Sequence, residues 1–284
     1  MGDVLSNLLV MSIAGSVVTA LMLLLRPLTG NIFPAKWQYR IGKMALAFFL
    51  MPSLLMLKKV IFHEQIIQYP MVLDNVTNIE LAYILVINNI NVTIIKIIFI
   101  IWLVGVMIFT LWQLYCYNKF IKNIQANSIS ATENSEAAIL LSLCKEELDI
   151  NKKVNLMQSN EISSPMLVGL YRPTILLPNL NNQKNDLRFI LVHELTHLKQ
   201  KDLWVKMFAL ITRALHWFNP LVHLLSRDIN VWVELSCDES LVSKMSLKER
   251  KLYGETIINT FKIHSGINSN LCSSLCNQSE PVGP

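Results

Sequence analysis

The chain has 284 residues, 52% hydrophobic and 16% charged, with a net charge of +5 and a mean hydropathy of +0.41. Ordinary globular domains carry about 25% charged residues, so the composition excludes a wholly water-soluble protein and directs part of the chain into lipid. Five scattered cysteines (Cys116, Cys144, Cys237, Cys272 and Cys276) exclude a disulfide framework and fit a reducing compartment. Cys272 and Cys276 have no further Cys or His nearby to complete a zinc knuckle and read as unpaired thiols.

Leu5–Leu25 is an uncharged apolar run long enough to cross ~30 Å of hydrocarbon. Asp3 and Arg26-Pro27 argue against a cleaved signal peptide, which needs a basic start and a small-residue cleavage site. After a loop with Arg26, Lys36, Arg40 and Lys43, Met44–Phe62 is a second expected span, with Lys58 and Lys59 snorkelling to the interface. Leu81–Ile87 is too short to cross and reads as an interfacial helix or a strand. Ile97–Tyr117 is the third expected span, anchored by Trp102, Trp112, Tyr115 and Tyr117 and followed by Lys119 and Lys122. The basic residues place the first loop and everything from Asn118 onward in the cytoplasm, with the N-terminus outside. The sequons at Asn75 and Asn91 then face outward and read as chance matches.

From Asn118 the composition turns soluble. Ala131–Leu148 is expected as an amphipathic helix with Ala137, Leu141, Cys144 and Leu148 on one face. Ser164–Pro178 reads as a hairpin turning at Tyr171-Arg172, whose outer strand either pairs with an extended substrate or covers the core. Asp186 is the expected N-cap of the helix that follows.

That helix carries His193-Glu194-Leu195-Thr196-His197. Residues four apart lie on one helical face with Cβ atoms ~5–6 Å apart, so His193 and His197 can offer nitrogens to one cation. Glu194 lies about 100° round the helix from His193, placed to take a proton from water at that cation. A bare HExxH also arises by chance, so the downstream acids matter. Candidates for a third ligand are Asp202, His216, His223, Asp228, Glu234, Asp238 and Glu239. Glu234 is the strongest, because Asp238 follows four residues later on the same face. One can reach the metal while the other accepts the second N–H of a ligand histidine; the alternative is a solvated acidic face. Asp202 either bonds back into the site or caps the helix in solvent. His216 and His223 share a face around Trp217-Phe218-Asn219-Pro220, and a structural role is preferred for both. Leu203–Ser226 is apolar enough for a fourth span, but Lys206, Arg213 and Pro220 interrupt it. A central Lys or Arg costs ~2.5–3.5 kcal/mol on insertion scales, so this stretch reads as two helices packed in the domain or lying against the membrane.

Taken together, the three spans, Val168-Gly169 with Arg172–Pro178, the HExxH with Asp202, His216–Pro220, Glu234–Glu239 and Tyr253-Gly254-Glu255-Thr256 resemble the BlaR/MecR family of membrane zinc peptidases, the β-lactam-sensing signal transducers of bacteria. The resemblance implies a mainly α membrane protein: three transmembrane helices and a cytoplasmic α+β gluzincin-like metallopeptidase domain with a small β-hairpin or sheet. The expected divisions are 1–117 in the membrane, 118–264 for the peptidase and a polar tail over 265–284. The metal ligands carried over are His193, His197 and Glu234, with Zn2+ as cofactor, Glu194 as general base and Asp238 behind the ligands. The implied function is cleavage of a cytoplasmic transcriptional repressor or of the chain itself, in the bacterial plasma membrane, as part of antibiotic-resistance signalling. A non-proteolytic transducer with a structural zinc site and a housekeeping membrane peptidase are the rivals. His216, His223 and Tyr253 are weak candidates for stabilising the oxyanion. Full-length sensors continue into a fourth span and an extracellular penicillin-binding domain, whereas Ser265–Pro284 is short and polar. Neither direct nucleic-acid binding nor β-lactam binding is expected from this chain alone.

Overall fold

The computed structural model of the chain describes residues 2–29, 33–51, 78–130, 135–159, 162, 164–178 and 187–262. The elements in order are α1 (Gly2–Thr29), α2 (Ala35–Leu50), α3 (Asn78–Ala126), β1 (Ser128–Ser130), α4 (Glu136–Glu147), β2 (Asn155–Ser159), β3 (Met166–Val168), β4 (Thr174–Leu177), α5 (Leu187–Gln200), α6 (Asp202–Leu215), α7 (Pro220–Val242) and α8 (Leu247–Lys262). The architecture is mostly helical with one small mixed sheet.

Two helical segments, Gly2–Arg26 and Val92–Ile124, are long and apolar enough to cross a membrane. They contain the first and third expected spans. Of the second, only the part up to Met51 is described, as the end of α2 and its C-cap; the rest of Met44–Phe62 lies outside the described residues. So do Asn75, Asp186 and the tail with Cys272 and Cys276. Leu81–Ile87 is not a separate element: it runs into the third span within α3, because no proline interrupts Asn78–Ala126. For the same reason the division drawn after Tyr117 falls inside a continuous helix.

The sheet has the order β1-β2-β4-β3, with β2 and β4 parallel and both outer pairings antiparallel. The expected hairpin is β3–β4, and β3 is an edge strand packed beside α5. Its turn needs glycine at Gly169, where φ is +86° and a Cβ would lie 2.3 Å from the Arg172 carbonyl oxygen. Tyr171 at the turn meets the Trp204 ring edge-on, with centroids 5.8 Å apart. The apolar stretch Leu203–Ser226 forms two helices, α6 and α7, that meet at a corner. Asn219 ends the turn by accepting a hydrogen bond from the Leu221 N–H, and Pro220 opens α7.

Two apolar clusters share α7. The part up to Val233 contributes Val222, Leu225, Ile229, Trp232 and Val233 to a core with Tyr39, Ala45, Leu46 and Phe49 of α2. The part beyond Val233 contributes Cys237 and Leu241 to a core with Ile175 and Leu177 of β4 and Leu191 and Leu195 of α5. The sheet, α5 and the N-terminal helices are thereby held in one frame.

Candidate metal centre

The apolar face of α5 buries Ile190, Leu191 and Leu195 in the core, which turns His193 and His197 toward α7. Their rings meet nearly at right angles, with centroids 4.7 Å apart. Glu234 comes to them from the middle of α7. Three atoms then face one another: His193 Nε2 and His197 Nε2 are 3.1 Å apart, and Glu234 Oε2 lies 3.5 and 3.3 Å from them. Ligands held ~2.0–2.1 Å from a tetrahedral zinc ion stand about 3.3 Å apart, so the donor set fits that ion in type and spacing. Glu194, next to His193 on α5, is 7% exposed.

The outer edge of each imidazole is also occupied. Tyr39 of α2 donates to Asp202 Oδ1 at 2.6 Å, and His197 Nδ1 lies 2.8 Å from Asp202 Oδ2. Asp202, the first residue of α6, is completely buried. It reaches His197 because the chain turns between α5 and α6 through one residue, Lys201, in the left-handed conformation with φ 59°. On the other histidine, Tyr253 of α8 donates to Asp238 Oδ1 at 2.6 Å, and its oxygen lies 2.8 Å from His193 Nδ1. With the tyrosine proton committed to Asp238, Nδ1 of His193 must carry the hydrogen in that contact. In the neutral form of each ring, Nε2 is thereby left to donate a lone pair toward the centre. A capping box, Ser246 with Glu249, fixes the start of α8 and with it Tyr253.

The charges around the site favour cations. Burial disfavours protonation of both imidazoles. Hydrogen bonds with Asp238, Cys237 and Glu234 at His193, and with Asp202, Cys237 and Glu234 at His197, outweigh it and hold both well above the usual range. Burial also disfavours ionised Glu234, but the two histidines, with Lys206, hold it well below the usual carboxylate range. Lys206 Nζ sits 3.4 Å from Glu234 Oε1, leaving Oε2 directed at the imidazoles.

A second donor set, His193, His197 and Cys237, has its atoms within 4.8 Å of one another. Its sulfur is 3.8 Å from His193 Nδ1, the nitrogen that Tyr253 already engages, and the thiol donates to the His193 carbonyl oxygen at 3.6 Å. The Glu234 set is the tighter one and uses Nε2 of both rings.

A family model described as BlaR1 peptidase M56 matches residues 6–282. The chain belongs to this peptidase family. It is 34% identical over 178 residues to the regulatory protein BlaR1 of Bacillus licheniformis, an alignment covering 62% of this chain and 29% of that protein. The methicillin resistance mecR1 protein of Staphylococcus aureus strain Mu50 is 27% identical over 165 residues, 57% of this chain and 28% of that protein. The regulatory protein BlaR1 of Staphylococcus aureus is 26% identical over 179 residues, 61% and 30% of the two chains. The chain thus spans less than a third of the length of these relatives.

The sequence-expected residues of the M56 chain separate cleanly in space. His193, His197, Glu234 and Asp238 come together, and Asp202 joins them as a buried partner rather than a solvated cap. His216 lies at the far end of α6, bonded through Nε2 to the Phe49 carbonyl oxygen, and His223 Nε2 bonds the Trp217 carbonyl oxygen. Tyr253 is spent on Asp238 and the outer nitrogen of His193, so its hydroxyl backs that ring rather than facing the centre. Asp228 pairs with Arg26, and Glu239 accepts from the Lys36 backbone N–H. Sequence reasoning missed Tyr39, Cys237 and Lys206. Tyr39 gave no signal, because its partner is distant in sequence. Lys206 did: a lysine inside an apolar helical run, four residues after Asp202, needs a buried counter-charge.

Proposed function

We propose that this chain is a membrane zinc metallopeptidase of BlaR/MecR type, gluzincin in its ligand set, that cuts a cytoplasmic repressor or its own chain in antibiotic-resistance signalling. The observation that carries the reading is the triangle of His193 Nε2, His197 Nε2 and Glu234 Oε2, spaced 3.1–3.5 Å apart. These three residues would hold the ion. Bound zinc supplies Lewis acidity, acidifying water and polarising a peptide carbonyl. Asp202 and Tyr253 hold the two rings in the tautomer that binds metal through Nε2. Glu194 takes the proton of the attacking water and delivers it to the nitrogen of the scissile amide. Edge strand β3, beside α5, suits an extended substrate added as a further strand. The family match and the two apolar helices support a plasma-membrane location; the basic loops support an outside N-terminus, a membrane part over 1–117 and a cytoplasmic peptidase over 118–264.

Replacing Glu194 with glutamine tests the mechanism. The Glu194→Gln protein is expected to keep about one zinc per chain by elemental analysis. Its cleavage of itself or of a co-expressed repressor, read by fragment mass, should fall by about 10²–10⁴-fold. Undiminished cleavage would remove Glu194 from the reaction. Normal signalling by an inactive Glu194→Gln chain would instead favour a non-proteolytic transducer.

A further inference from the structure

The corner between α6 and α7 has a surface that the peptidase reading does not use. Between Lys201 and Arg227, every exposed residue is apolar: Phe208, Ile211, Phe218, Pro220 and Leu224. The four large ones are 40–46% exposed among the described residues. The corner's polar side chains turn inward. Asn219 Nδ2 donates to Ser12 Oγ at 2.8 Å and Ser16 Oγ at 2.7 Å of α1, while its Oδ1 caps α7. His216 bonds the Phe49 carbonyl oxygen, His223 the Trp217 carbonyl oxygen, and Thr212 the Phe208 carbonyl oxygen. Arg213 lies over the Phe109 ring of α3, 5.5 Å from its centroid. Apolar groups face outward and the polar ones are turned within, where Arg213 Nε and His216 Nδ1 are the atoms left without a hydrogen-bond partner among the described residues of the corner; an apolar outer face over inward polar groups is the arrangement that hydrocarbon demands and water does not.

The contacts with α1 and α3 set the depth. Trp102 Nε1 of α3 donates to the Leu215 carbonyl oxygen at 2.9 Å, and Trp217 Nε1 returns a bond to the Trp102 carbonyl oxygen at 3.3 Å. Gly105 makes room: a Cβ there would lie 2.3 Å from the Trp217 indole. Ser12, Ser16, Trp102 and Gly105 all fall well inside the apolar segments Gly2–Arg26 and Val92–Ile124. Arg26 at the end of the first segment pairs with Asp228, two turns up α7 from the corner. Ser12 and Ser16 lie ten to fourteen residues before Arg26, a drop of ~15–21 Å at 1.5 Å per residue. The 14 residues of α6 span a similar ~21 Å from Asp202 to the corner. Half the hydrocarbon thickness is ~15 Å.

We propose that the α6–α7 corner is a re-entrant element that dips to about the middle of the bilayer, with Phe208, Ile211, Phe218 and Leu224 in contact with lipid acyl chains. The occupant follows from continuity: this face extends the exposed apolar sides of α1 and α3 at the same depth. The geometry also places Asp202 and His197, at the other end of α6, near the bilayer surface. Peptide bonds cut there are ones presented close to the membrane.

The proposal rests on α1 and α3 crossing a bilayer, and one experiment separates the two. The full chain, in nanodiscs of phosphatidylcholine and phosphatidylglycerol carrying a phospholipid with a photoreactive diazirine midway along its acyl chain, is irradiated and its adducts are mapped by peptide mass spectrometry. Adducts are expected on α1, on α3 around Ile108, and on the tryptic peptides Met207–Arg213 and Ala214–Arg227, each at least about tenfold above the β3–β4 turn at Tyr171. Adducts on α1 and α3 but not on the two corner peptides would overturn the re-entrant corner and leave the spans standing. No adducts on α1 and α3 would overturn the spans and the proposal with them.

Discussion

His193 and His197 are each backed by one tyrosine and one aspartate, but in opposite order and at different depths. Behind His197 the order is histidine, Asp202, Tyr39, and the Asp202 side chain is 1% exposed. Behind His193 it is histidine, Tyr253, Asp238, and the Asp238 side chain is 38% exposed. A buried carboxylate beside an imidazole interacts across low-dielectric surroundings, whereas a half-exposed one, 3.4 Å from the ring nitrogen with a phenol bridging the two, is screened by water. The difference also lies in what each chain reaches. Tyr39 belongs to α2 and the core shared with α1, so the His197 side ties the metal centre to the N-terminal helices. Tyr253 belongs to α8, so the His193 side ties it to the core around β4 and α5. A displacement of α2 would reach His197 through two hydrogen bonds.

The largest effect that would sharpen this contrast is expected from Asp202→Ala. It leaves both His197 Nδ1 and the Tyr39 hydroxyl without their partner in a buried place. Zinc affinity, measured by competition with a chromophoric chelator, should fall by about 10–100-fold. A loss under about twofold would break the idea that the buried side dominates. Asp238→Asn should cost less, below about tenfold by the same titration. The Tyr253 hydroxyl still reaches His193 there, and an amide oxygen still accepts its proton. An equal or larger loss than in Asp202→Ala would reverse the assignment of the two sides.

Much of the candidate metal centre can be read along the chain because its grouping is local. His193 and His197 are four apart on one helix, and Glu234 and Asp238 four apart on another, so helical periodicity alone groups them in pairs. The division of Leu203–Ser226 into α6 and α7 was legible for the same reason, since Lys206, Arg213 and Asn219-Pro220 mark the break in an apolar run. What the sequence conceals is non-local. Tyr39 meets Asp202 across 163 positions, and nothing in its neighbourhood marks it. The burial of Asp202 depends on the left-handed turn at Lys201, a conformation for which lysine carries no signature. Leu81–Ile87 misled because a short apolar piece beside polar residues looks like its own element; its continuation as α3 is decided by the absence of any stop signal before Ala126.

Everything proposed for the metal centre depends on zinc being held by His193, His197 and Glu234 and not by Cys237. X-ray absorption at the zinc edge of the full chain, loaded with one equivalent of the metal, tests this most directly. The expected result is a shell of nitrogen and oxygen scatterers only, at about 2.0–2.1 Å. A sulfur scatterer at about 2.3 Å would contradict it and put the Cys237 thiolate, rather than the Glu234 carboxylate, on the metal as the third ligand.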